Sequence, residues 1–175
     1  MKSVNGVVGN NDYFIPIGGY IKEDTYGIAN YYFAFVCQFI HSGPIHLLLN
    51  MTGLYYISIQ IKGNQSAFKS FTAYILGIIF VGAGLLLFAE DDIVYLGNSG
   101  AICALAGLWT FHGLYKKGKK AKEEIESLTF LIIASIMIPP ISLLMHMSGI
   151  IAGGVFLLFE IIFCKFRKII IRSLF

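Results

Sequence analysis

The chain has 175 residues, of which 57% are hydrophobic and only 13% charged, with a formal net charge of +3 and a mean hydropathy of +0.74. A soluble domain carries about 25% charged residues, so this composition argues against a water-exposed globular surface and for an integral membrane protein. The three cysteines, Cys37, Cys103 and Cys164, are scattered and form no CxxC, so neither a disulfide framework nor a zinc ribbon is indicated.

Residues 1–43 mix glycines, Pro16, tyrosines and a few charges, without sustained helical or strand periodicity. The opening MKSVNGVVGNNDYF has no apolar core of signal-peptide length. This stretch is expected to be a loop-rich extracytoplasmic or interfacial region, since Tyr and Phe suit the headgroup layer. Five apolar segments follow: PIHLLLNMTGLYYISIQI (44–61), FTAYILGIIFVGAGLLLFA (71–89), GNSGAICALAGLWTFHGLY (97–115), LTFLIIASIMIPPISLLM (128–145) and HMSGIIAGGVFLLFEIIF (146–163). Each is close to the roughly 20 residues a helix needs to cross about 30 Å of hydrocarbon. The expected fold is therefore an all-α polytopic bundle. Its transmembrane domain spans 44–165, and a basic cytoplasmic tail occupies 166–175. Pro139–Pro140 is expected to end or kink the fourth segment early.

Basic residues set the orientation. YKKGKKAK between segments three and four holds five lysines, KFRKIIIR after segment five holds four basic residues, and EDDIVY between segments two and three holds none. The positive-inside rule puts the lysine loop and the C-terminus in the cytoplasm. Segments one, three and five then begin on the outer side, which brings His46, Ser99 and His146 to one depth just below the outer surface.

Polar side chains inside a bilayer are costly and carry a functional expectation. His46 and Asn50 are four apart, on one face of segment one. A serine and a histidine at matched depth can form a nucleophile–base pair, with Ser99 attacking a carbonyl and His146 moving its proton. The Asn50 amide, the His46 ring and the Ser99 backbone N–H could stabilise the oxyanion. Gly97 and Gly100 allow a tight turn and close approach at the serine. Gly100 and Gly107 thin one side of segment three, and Gly149 and Gly153 form a GxxxG on segment five, so the two helices are expected to pack closely. Taken singly, a GxSG arises by chance and a GxxxG is a packing feature. The coincidence of His46, His146 and Ser99 at one depth is what packing alone does not supply. Glu160 lies fourteen residues below His146, roughly 21 Å along a helix, and the loop acids Asp91 and Asp92 reach the site only by folding inward, so a Ser–His dyad is expected rather than a triad.

HSGPIHLLLN (41–50), GNSGAICALAG (97–107) and HMSGIIAGG (146–154) together resemble, in order and topology, the motifs of the rhomboid family of intramembrane serine proteases. The resemblance covers about residues 30–165. It implies Ser99 as nucleophile, His146 as base, and His46 and Asn50 in the oxyanion positions. It also implies cleavage of transmembrane segments of other proteins, with no metal, cofactor or nucleic-acid partner. The expected setting is a bacterial plasma membrane, with the lipid bilayer around the bundle and the active site toward the extracytoplasmic side. The family's first transmembrane helix has no counterpart here, as expected of a natural short form, a mis-assigned start or a fragment. Tyr32-Phe33 stands where the family usually carries Trp-Arg, Cys103 where many members carry an aromatic residue, and Met145 where alanine precedes the histidine. Three rival readings follow from the same residues: a catalytically inactive member that binds membrane helices, a small transporter or channel, and a metal site built from His41, His46 and His146.

Overall fold

The computed structural model describes residues 3–4, 7–8, 14–22, 27–61, 66–91, 93–116, 126 and 142–174. In chain order these form short strands β1 (Ser3–Val4) and β2 (Val7–Val8), helix α1 (Ile28–Val36) with a 3-10 turn (Cys37–Phe39), α2 (Pro44–Ile61), α3 (Ala67–Phe88), strand β3 (Ile93–Val94), α4 (Ser99–Lys116) and α5 (Leu143–Leu174). Residues 128–141 of the expected fourth segment, Pro139–Pro140, and residues 117–122 of the lysine loop lie outside the described residues.

The helix boundaries follow local chemistry. Pro44 opens α2, where its missing N–H would have no helical acceptor. Ser66 caps α3, its hydroxyl accepting the Lys69 N–H at 3.3 Å. Ser142 caps α5 in the same way, accepting the Met145 N–H at 3.3 Å, while its carbonyl accepts the His146 N–H at 3.2 Å. The expected boundary at residue 165 falls inside α5, because the basic residues after it continue the helix to Leu174.

Residues 1–43 are more ordered than their composition suggests. β1 pairs antiparallel with β2 (Ser3 with Val8) and parallel with β3 (Ser3 with Ile93, Val4 with Val94), giving a three-stranded sheet of order β2-β1-β3. Tyr20 and Tyr95 exchange backbone hydrogen bonds of 3.0 and 2.7 Å. The α1 region is a helix, bent by 75° from α2 across the extended Ile40 and the Ser42-Gly43-Pro44 corner.

α3 and α5 are each long and apolar enough to cross a membrane, and the bent pair α1–α2 makes a third span if read as one. α4 and α5 form the most extensive helix contact, with α3 against both. The reason lies in the glycines. A Cβ on Gly107 would sit 2.6 Å from the Ile150 carbonyl oxygen, and one on Gly100 would sit 2.8 Å from that of Met145. Cβ atoms on Gly149 and Gly153 would overlap the α4 backbone at Gly100 and Ala104. The helices therefore touch backbone to backbone. Ile57, Ala73, Leu105, Trp109 and Phe156 fill one end of the bundle. Tyr20, Cys37, Val81, Leu85, Tyr95 and Met145 fill the other, beneath the site described next.

Candidate active site

The approach to Ser99 is fixed from three sides. The Gly97 N–H donates to the Cys37 carbonyl at 3.0 Å, tying the loop to the 3-10 turn. The Asn98 side-chain amide donates to the Tyr74 hydroxyl on α3. The Asn98 carbonyl accepts the Ile102 N–H at 3.2 Å and so starts α4. Ser99 thus occupies the first turn of α4, where backbone N–H groups have no intrahelical carbonyl and the helix dipole is positive.

The close packing of α4 on α5 brings the serine to His146, in the first turn of α5. Ser99 Oγ and His146 Nε2 are 2.7 Å apart, within hydrogen-bonding reach. His146 is 6% exposed and Ser99 half-buried, so the serine is the more accessible of the two.

His46 approaches from α2. Its Nδ1 lies 3.3 Å from the Ser42 backbone N and 3.0 Å from Ser42 Oγ. A backbone N–H can only donate, so Nδ1 is the acceptor and the neutral ring carries its hydrogen on Nε2. That nitrogen faces the loop entering α4, since a Cβ on Gly97 would sit 2.7 Å from it. Gly97 also holds φ +107°, which L side chains rarely adopt, so both its backbone and its space require glycine. Asn50 is 5% exposed and on the inward stripe of α2 with Ile57 and Ile61. Its side-chain amide donates to the His46 carbonyl at 2.9 Å, leaving a second N–H, and its Oδ1 is buried without a partner.

The structure therefore brings Ser99 and His146 into contact and sets the His46 ring against Gly97. Asn50 is anchored to its own helix. Gly97, Gly100, Gly107, Gly149 and Gly153 all stand where a side chain would collide with a neighbour. The remaining residues of interest sit apart from the pair. His41 packs edge-on against His46, ring centroids 5.1 Å apart. Among the described residues no three of His, Cys, Asp or Glu are grouped to hold a metal ion. Glu160 is held by Lys69 at 2.7 Å, far from the dyad along α5.

The sequence reading missed Ser42, Tyr74, Ser142 and the Tyr20–Tyr95 bridge. Ser42 carried a usable signal, lying four residues before His46 beside a helix-opening Gly-Pro. Tyr74 and Tyr20 carried none, because their partners, Asn98 and Tyr95, are 24 and 75 residues away.

A family model for the Rhomboid domain matches residues 29–163. The chain belongs to the rhomboid family. As its apolar helices and this match both require, it is an integral membrane protein. This rhomboid domain is similar to RHOMBOID-like protein 7 of Arabidopsis thaliana, 26% identical over 122 residues, and to RHOMBOID-like protein 2 of the same plant, 29% identical over 128 residues. Each alignment covers 67% of this chain but only 39% and 38% of those relatives, so the chain spans about two fifths of their length. No solved structure matches.

Proposed function

We propose that this chain is an intramembrane serine endopeptidase that cuts transmembrane segments of other proteins with a Ser99–His146 dyad. The observation that carries the reading is the 2.7 Å approach of Ser99 Oγ to His146 Nε2 in the first turns of α4 and α5. His146 Nε2 takes the hydroxyl proton as Oγ bonds to the substrate carbonyl carbon. The carbonyl oxygen becomes an oxyanion against the His46 Nε2–H, the free N–H of Asn50 and the first-turn N–H groups of α4. When the intermediate collapses, the C–N bond breaks and His146 returns the proton to the leaving amine. A water, deprotonated by His146, then attacks the acyl-serine ester, and Ser99 recovers its proton.

Because the nucleophile lies below the surface, a substrate helix must unwind locally to offer a carbonyl, which favours segments with helix-weakening residues near that membrane face. The charge pattern supports an extracytoplasmic position for Ser99: the Lys-rich segments all lie at the opposite helix ends.

The test is cleavage of a reporter membrane substrate by purified protein in detergent. S99A and H146A are each expected to lower turnover at least about a thousandfold, and H46A about a hundredfold. Equal product from wild type and S99A would sink the protease reading and leave a catalytically inactive member that binds membrane helices.

A further inference from the structure

At the far end of the bundle, a cavity of about 190 Å³ lies between α3, α4 and α5. Tyr115, on its wall, is sixteen residues after Ser99, or ~24 Å along α4, and Lys165 is nineteen residues after His146, or ~29 Å along α5. Those distances approach the ~30 Å thickness of the hydrocarbon layer, so the cavity sits at the membrane–water boundary opposite the dyad. Its lining brings together Lys69 from α3 and Lys165 and Lys168 from α5. Glu160 is the carboxylate among the described lining residues, and it is already engaged by Lys69 at 2.7 Å. Lys165 and Lys168 are exposed and add positive charge that Glu160 does not balance. The inner wall is apolar at Leu157. Beside the cavity, on the membrane side of Lys165 and along its stripe of the helix, α5 turns Val155, Leu158 and Ile162 outward.

We propose that this cavity binds the headgroup of an anionic phospholipid. Basic pockets between membrane helices at the cytoplasmic boundary suit such headgroups. Here Lys165 and Lys168 meet the phosphate, the Tyr115 hydroxyl is available to donate to its oxygens, and the acyl chains run along the exposed aliphatic stripe of α5 at Val155, Leu158 and Ile162. A phosphate with a few waters fits the volume, and a whole lipid does not, so the chains stay outside. Continuity of the basic mouth with that apolar face favours a lipid over a free anion. The site does not depend on the proteolytic reading, since it shares no residue with the dyad.

Purified protein is exchanged into micelles containing equal amounts of phosphatidylglycerol and phosphatidylcholine, and retained lipid is counted by native mass spectrometry. Wild type is expected to retain phosphatidylglycerol selectively. K165Q/K168Q should weaken that retention by about fivefold per lysine removed. R167Q changes an exposed cation on the same helix that does not line the cavity, and should leave retention unchanged. E160Q frees the Lys69 charge and should increase it. Equal retention of the two lipids by wild type, no loss in K165Q/K168Q, or an equal loss in R167Q would overturn the proposal. Release of bound phosphatidylglycerol by millimolar inorganic phosphate would overturn the lipid assignment in favour of a free-anion site.

Discussion

His46 shows how one side chain's chemistry is set by a neighbour that does no chemistry itself. Its Nε2–H can face the proposed oxyanion only while Nδ1 is kept as an acceptor, and Ser42 does this with two groups, a backbone N–H and a hydroxyl. S42A removes the hydroxyl and keeps the N–H. The expected result is a three- to tenfold fall in kcat, about the value of one hydrogen bond, with KM within about twofold and the melting temperature little changed. Steady-state kinetics on the reporter substrate checks it. A KM rise with unchanged kcat would show that Ser42 serves substrate binding instead.

Among the elements, the α4–α5 pair sets the distance between Ser99 and His146, the proposed nucleophile and base. Neither residue reaches the other unless the helix backbones touch, and they touch because Gly100, Gly107, Gly149 and Gly153 present no Cβ. G149A inserts a methyl group where the Gly100 carbonyl already lies. It is expected to destabilise the fold by about 3 kcal/mol, as overpacking does, and to abolish cleavage by moving His146 away from Ser99. I151L, on the 52% exposed outer face of the same helix, should alter neither. Thermal melting in detergent with a parallel cleavage assay separates the two variants. A G149A protein that melts and cleaves normally would show that the helices are not in backbone contact.

For the whole molecule, the N-terminal segment is part of the site's support. β1 flanks β3, Tyr20 brackets Tyr95, and the Tyr20 hydroxyl donates to the Leu85 carbonyl at 3.3 Å. These contacts hold residues 93–97, which lead directly into Ser99. Y20F loses the hydroxyl bond and is expected to lower stability by about 1 kcal/mol at neutral pH. The same tyrosines give the fold an alkaline limit. Burial pushes the phenols of Tyr20 and Tyr95 above their ordinary value of 10.0. The folded state thus favours the neutral form. The stability this contributes is complete below pH 10 and is lost as pH rises through the raised values. Melting temperature should therefore be flat through neutral pH and fall above about pH 10, and Y20F should fall less steeply there. A Y20F profile parallel to wild type at high pH would show that this phenol does not titrate with unfolding.

Sequence alone determined the membrane class, because the deficit of charge admits no aqueous surface. It also determined most helix positions. Segments 44–61, 71–89 and 97–115 lie within a few residues of α2, α3 and α4, since apolar runs and their Pro, Gly and Ser punctuation act locally. The candidate site residues were legible too: Ser99, His46 and His146 stand near helix starts, and helix length with basic flanks gives all three the same expected depth. Tertiary structure decided what depth cannot. It set the 2.7 Å approach of Ser99 to His146, the tautomer of His46 and the need for glycine at 97. It also decided the order found in the N-terminal region, where composition suggested loop. Strands of two residues have no periodicity to read, and they form only because β3 offers them an edge. Contacts between residues distant in the chain follow from packing and backbone geometry, and these are properties of the folded bundle rather than of any one segment.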